Sequence, residues 1–131
     1  MKVLANDGIS QSGIDALEAK GFEVITTNVA QEQLISYINE NEVTVLLVRS
    51  ATTARKELVD SCPSLKIIGR GGVGMDNIDV AYAREKGLNV INTPASSSAS
   101  VAELVFAHLY GGVRFLHNSN RNMPLEGETN F

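Results

Sequence analysis

Short apolar runs alternate with helix-like stretches roughly every 20 residues along this chain, and that rhythm constrains its fold more than any other feature. Each run can form a strand, and each stretch can carry the chain back to lay the next strand parallel to the last. The runs are Val3–Ala5, Phe22–Thr26, Val43–Val48, Leu65–Ile68 and Leu88–Ile91. The third is almost wholly apolar, as a strand covered on both faces must be, so it marks the middle of a sheet. Between the runs, Ser12-Gly13-Ile14-Asp15 has the pattern of a capping box, in which hydroxyl and carboxylate satisfy free N–H groups, and Gly21 closes the helix it opens. Leu34, Ile35 and Ile38 share a face of a helix expected over 30–40. Leu58, Val59 and Cys62 form a further stripe stopped by Pro63, and a helix over 78–86 is stopped by Gly87. The expected class is α/β, a doubly wound sheet of five parallel strands, and 131 residues leave room for about one such core.

After Pro94 the pattern changes. The expected division is residues 1–94 as the sheet domain, then 95–131 as a hinge and a long helix. Ser100-Val101-Ala102-Glu103 reads as a second capping box opening that helix. From Val101 to Leu116 the apolar residues point all round the axis, which demands cover on every side. One small domain cannot supply it, so a second copy of the chain is expected across this helix, a homo-oligomer. The stretch from Asn118 to Phe131 shows no apolar periodicity, and the chain reads as the first part of a longer protein.

Charge and composition exclude several classes. Eleven basic against 15 acidic side chains give a net charge of −4, which argues against nucleic acid as a partner and against an anionic membrane surface. The longest apolar runs are four residues, Val45–Val48 and Leu104–Ala107, where a membrane span needs about 20. With polar residues arriving before any signal-peptide core, a cytoplasmic location is expected. The lone Cys62 reads as a small structural hydrophobe. His108 and His117 have no acidic neighbour at ligand spacing, so no metal is expected.

In an open parallel sheet, ligands gather beyond the carboxyl ends of the strands. There the chain places Asn6-Asp7-Gly8, Arg49-Ser50, the run Gly69-Arg70-Gly71-Gly72-Val73-Gly74, and Asn92-Thr93-Pro94. Arg49 and Arg70 leave consecutive strands, which right-handed crossovers place side by side. The glycine-rich turn beside them can aim backbone N–H groups inward, and a helix starting near Asn77 would add partial positive charge. Together they suit a small acid with two anionic ends. The other reading pairs the arginines with Asp7, Asp76 or Asp79 as loop ties, and both stay open here. The same turn fits G-x-G-x-x-G, yet it follows the fourth strand, not the first, and no carboxylate stands about 20 residues on, where Asn92 lies. Receiver-type phosphorylation fails for want of an acceptor Asp where Arg49 stands, and an FMN site fails because Asn6-Asp7-Gly8-Ile9-Ser10 is a poor phosphate loop.

Val48-Arg49-Ser50-Ala51-Thr52, the stretch Ile67 to Asp79, Asn92-Thr93-Pro94 and Ser100-Val101-Ala102-Glu103-Leu104 together resemble the N-terminal substrate-binding domain of the D-isomer-specific 2-hydroxyacid dehydrogenases. The resemblance implies a flavodoxin-like domain, then over 95–131 a hinge, a long interdomain helix that helps build a dimer and the start of an NAD-binding domain, with NAD held mainly by sequence beyond Phe131. It implies hydride transfer between NAD and C2 of a 2-hydroxyacid such as 3-phosphoglycerate, in serine biosynthesis. Arg49 would contact the substrate phosphate with Ser50 beside it, Arg70 would face the same substrate, and the N–H groups of Val73 and Gly74 would receive its carboxylate. Val73 would also lie beside the nicotinamide, and Ser97 would stand at the cofactor edge, where relatives often carry an asparagine nearby. The resemblance puts the general base histidine, its glutamate partner and the catalytic arginine beyond Phe131, so the 131 residues alone are expected to be inactive. Two alternatives accompany this reading: the same domain acting on hydroxypyruvate or glycerate, and a stand-alone anion-binding or regulatory module. A second G-x-G-x-x-G downstream would decide for the enzyme.

Overall fold

A computed structural model describes residues 1–126, which form two compact units divided at Pro94. The first is a five-stranded, all-parallel sheet in the order β2-β1-β3-β4-β5. Its strands are β1 (Lys2–Ala5), β2 (Glu23–Ile25), β3 (Val45–Val48), β4 (Ile67–Arg70) and β5 (Asn89–Asn92). The helices are α1 (Gln11–Glu18), α2 (Leu34–Glu40, entered through a 3-10 turn at Gln31–Gln33), α3 (Lys56–Ser61) and α4 (Val80–Glu85). This is the doubly wound order in which the chain reverses direction between β1 and β3. The apolar run after Thr44 is indeed the central strand, with Val45, Leu46 and Val48 buried.

Handedness explains where the core sits. Right-handed crossovers put α1 on one face of the sheet and α2, α3 and α4 on the other. Leu46, Ile68 and Val90 stand in register on β3, β4 and β5 and are buried with Leu34, Ile38, Leu58, Val59 and Ala83 from those three helices. The neighbouring row, Leu47, Gly69 and Ile91, faces the other way. With α1 over the β1–β2 side, Ile91 is left 56% exposed. One face of the sheet is therefore a packed core, and the other is open beside β4 and β5.

Several local expectations are corrected. The first helix is capped by Ser10, not Ser12: Ser10 is extended and its hydroxyl accepts from Gly13 N–H at 3.3 Å, while Ser12 lies inside the helix. The fourth strand begins at Ile67, because Leu65 is still in a turn bonded to Cys62 O and the N–H groups of Lys66 and Ile67 both reach Thr44 O. Gly21 and Gly87 end their helices as expected, at φ of 82° and 87°, where a side chain would strain the turn.

The second unit departs further. Helix α5 spans Ser98–Val113, so Ser100 lies within its first turn and is not a capping residue. It stops at Arg114, Phe115 takes φ of 52°, and α6 (Leu116–Glu126) follows. The single helix expected over 101–116 is thus broken, and most of the stretch read as irregular is helical. Residues 127–131 lie outside the described residues. No residue of α5 is buried, although Val101, Leu104, Val105, Phe106, Leu109, Tyr110 and Val113 are all apolar or aromatic. No helix of the described residues is long and apolar enough to cross a membrane.

Candidate anion-binding cleft

A cavity of about 670 Å³ opens at the carboxyl ends of β1, β3, β4 and β5, where strand order reverses. Its floor is the open sheet face, with Leu47, Gly69 and Ile91, and its rim carries Asp7, Ser10, Arg49, Arg70, Gly71, Asn92 and Thr93. Gly69 is what lets the floor close up: a Cβ there would sit 2.8 Å from Leu47 Cδ2.

Arg49 lies one residue beyond β3 and Arg70 ends β4, and because Val48 pairs with Arg70 the two arginines leave adjacent strands at one edge. Their side chains are used differently. Among the described residues the exposed Arg49 guanidinium makes no ion pair or hydrogen bond. Arg70 folds over the glycine turn, its Nε donating to Arg49 O at 3.1 Å and its Nη1 to Gly74 O. Neither arginine pairs with Asp7, Asp76 or Asp79. Asp79 instead meets Arg55 at 3.1 Å. Arg70 thus ties the loop through carbonyls while keeping other donors of its fork available to the cleft.

The glycine turn accommodates this side chain. A Cβ at Gly72 would come within 3.2 Å of Arg70 Nη1, and one at Gly74 within 3.4 Å of the same atom. The N–H of Gly71 reaches Val48 O and that of Gly72 reaches Arg70 O, whereas those of Val73 and Gly74 have no partner among the described residues. Val73 is 52% exposed, and its carbonyl is held by Asn92 Nδ2 at 2.7 Å. The helix expected near Asn77 starts at Val80 and is six residues long, so it brings little dipole to the turn. These residues do not fit a pyrophosphate cradle. Side chains already border the glycines, Arg49 at Gly71, Arg70 at Gly72 and Asp76 with Arg70 at Gly74; no helix opens directly on the turn, and β5 ends in Asn92 with no carboxylate for a ribose.

A buried polar network behind Arg49 escaped sequence reasoning. Asp7 accepts from Arg49 N–H at 2.6 Å, from Thr52 N–H at 3.1 Å and from the Thr52 hydroxyl. Burial works to raise its pKa, but the hydroxyl of Thr52 and the N–H groups of Arg49, Thr52 and Ala51 outweigh it and lower the value. Asn6 Nδ2 donates to Thr52 Oγ1 at 2.8 Å, and Asn77 Nδ2 donates to Arg49 O at 2.9 Å and Thr52 O at 2.7 Å. Asn6 and Asp7 stand at the ligand edge by their place after β1, but nothing local in the sequence marks Thr52 or Asn77 as their partners. Ser50 is exposed next to Arg49 outside the cavity lining, and Ser97 immediately precedes α5 without capping it through its side chain. Cys62 is buried, its thiol pushed up to about 11 by burial, in keeping with a structural role. Among the described residues no cluster of side chains could hold a metal.

Strand order and reversal point define the class, a doubly wound α/β domain of the flavodoxin-like kind. The chain belongs to the D-isomer-specific 2-hydroxyacid dehydrogenase family, whose catalytic-domain model matches residues 3–123. It is 40% identical over 114 residues to the D-3-phosphoglycerate dehydrogenase of Methanocaldococcus jannaschii, covering 87% of this chain and 21% of that protein. It is 39% identical over 116 residues to the hydroxypyruvate reductase of Thermotoga maritima, covering 88% of this chain and 37% of that one. The chain therefore spans about a fifth to somewhat over a third of the length of these relatives. Among solved structures, the NAD+-bound 3-phosphoglycerate dehydrogenase of Entamoeba histolytica superposes with a TM-score of 0.70 at 28% identity, covering 87% of this chain and 39% of that one. The TT0316 protein of Thermus thermophilus superposes at 0.80 with 25% identity, covering 93% and 40%. The family is one of NAD-dependent oxidoreductases.

Proposed function

We propose that residues 1–94 are the substrate-binding domain of an NAD-dependent dehydrogenase acting on 3-phosphoglycerate. The observation that carries this is the pair of arginines on adjacent strands, Arg70 folded over the glycine turn and Arg49 with a guanidinium that has no partner among the described residues, together with the N–H groups of Val73 and Gly74, which have none either. A charged fork suits one anionic end of a small acid, and the free N–H groups of the turn, which borders the cavity at Gly71, suit the other. In this reading Arg49, with Ser50 beside it, takes the phosphate, Arg70 faces the same acid, and Val73 and Gly74 take the carboxylate. NAD, when bound, supplies the hydride acceptor. The residues described here orient the acid, with Val73 and Ser97 contributing only at the cofactor's edge. A second copy of the chain covers the apolar helix α5.

Hydroxypyruvate is a second substrate reading, since a hydroxypyruvate reductase is nearly as similar to the chain as a phosphoglycerate dehydrogenase. The two arginines favour the acid with two anionic ends. Two charge-assisted contacts at about 1.5 to 3 kcal/mol each bracket the roughly 4 kcal/mol of a millimolar dissociation constant. Calorimetric titration of the chain with 3-phosphoglycerate, hydroxypyruvate and D-glycerate should therefore give measurable binding of the first and weaker binding of the others. Arg49→Ala should weaken phosphoglycerate binding about tenfold to a hundredfold. Equal affinities for the three acids, or no change in Arg49→Ala, would reject the assignment.

A further inference from the structure

Asn77 is 6% exposed and fully engaged as a donor, yet its Oδ1 is buried without a partner. What its amide nitrogen holds is specific: the carbonyls of Arg49 and Thr52, the first and fourth residues of the loop that follows β3. The same two residues present their N–H groups to Asp7 from the other side. The loop is gripped by its donors from the segment after β1 and by its acceptors from the segment after β4. Arg49 O also receives Arg70 Nε at 3.1 Å, so one carbonyl is shared by Asn77 and the second arginine.

We propose that Asn77, together with Asp7, is a positioning residue that sets the spacing of Arg49 and Arg70 and thereby the selectivity for a phosphorylated over an unphosphorylated hydroxyacid. The inference rests on the reading of the cleft given above. Remove the amide, and Arg49 O keeps only Arg70, so the backbone from which the Arg49 side chain projects can rotate. A phosphate held by a fork at fixed distance from a carboxylate nest tolerates little such movement. A ligand with one anionic end needs only the nest and is less affected.

The test compares the wild-type chain with Asn77→Ala, Asp7→Asn and Arg49→Ala, each titrated with 3-phosphoglycerate and with D-glycerate. The ratio of the two affinities should fall about tenfold in Asn77→Ala and Asp7→Asn, the low end of what losing one charge-assisted contact costs. Amide 15N relaxation at Arg49, measured without ligand, should show larger-amplitude motion in Asn77→Ala. That readout keeps the proposal testable if binding is weak, and circular dichroism establishes that each variant is folded. An unchanged ratio with unchanged Arg49 motion in a folded Asn77→Ala chain overturns the positioning role. A wild-type chain that shows no preference for the phosphorylated acid, with Arg49→Ala indistinguishable from it, overturns the reading of the cleft instead. Should Asn77→Ala fail to fold, Asp7→Asn decides by the same two measurements.

Discussion

Asp7 shows how one side chain can serve fold and cleft together. Its carboxylate gathers the donors of Arg49 and Thr52, and those bonds hold its pKa below the usual 3.8. Because the folded value lies below the unfolded one, this contribution to stability is fully present above about pH 3.8 and is lost as the pH falls through the lower, folded value. Thermal melts between pH 2 and 6 should show an acid-side loss of stability that is reduced in Asp7→Asn, and identical pH profiles for the two chains would refute the role. Cys62 makes the opposite case, a thiol raised to about 11 by burial. It should react with a disulfide reagent at a rate that tracks unfolding, and rapid modification of the native chain would contradict its placement. At this scale the sequence showed the arginines but not their support. Arg49 and Arg70 stand out because they follow strands at the ligand edge. Asn6, Thr52 and Asn77 are common polar types whose meaning lies in contacts 23 to 46 residues away, which no local pattern encodes.

Elements were legible where a local rule decides them. The apolar run ending at Val48 had to be central, and Gly21 and Gly87 had to end helices, since only glycine enters the left-handed region without strain. Caps were less legible, because Ser10 and Ser12 both satisfy the composition and only the extended backbone at Ser10 makes it the cap. The break at Phe115 was invisible, since a non-glycine residue at φ of 52° has no sequence signature. Glycine substitutions test the element scale directly. Gly87→Ala should destabilise by about 1 to 2 kcal/mol through left-handed strain. Gly111→Ala, inside α5 with open space around a new Cβ, should stabilise the helix by roughly 0.5 to 1 kcal/mol. Thermal melts followed by circular dichroism would check both, and a stabilised Gly87→Ala would show that the turn is misplaced.

At the scale of the whole molecule, handedness leaves one sheet face half covered and α5 leaves large apolar side chains more than half exposed. Burying one such side chain is worth roughly 1.5 to 3 kcal/mol, so the chain has reason to self-associate through α5. Sedimentation velocity should show concentration-dependent dimers that vanish when the chain is cut after Thr93, and a monomer at all concentrations would contradict this. Binding of the acid at the carboxyl edge of the sheet can be read residue by residue from amide chemical shifts during a titration with 3-phosphoglycerate. Shifts should concentrate at Arg49, Arg70, Val73 and Gly74, saturate together and disappear in Arg49→Ala. Shifts scattered over the surface, or confined to α5 and α6, would exclude the acid from this edge.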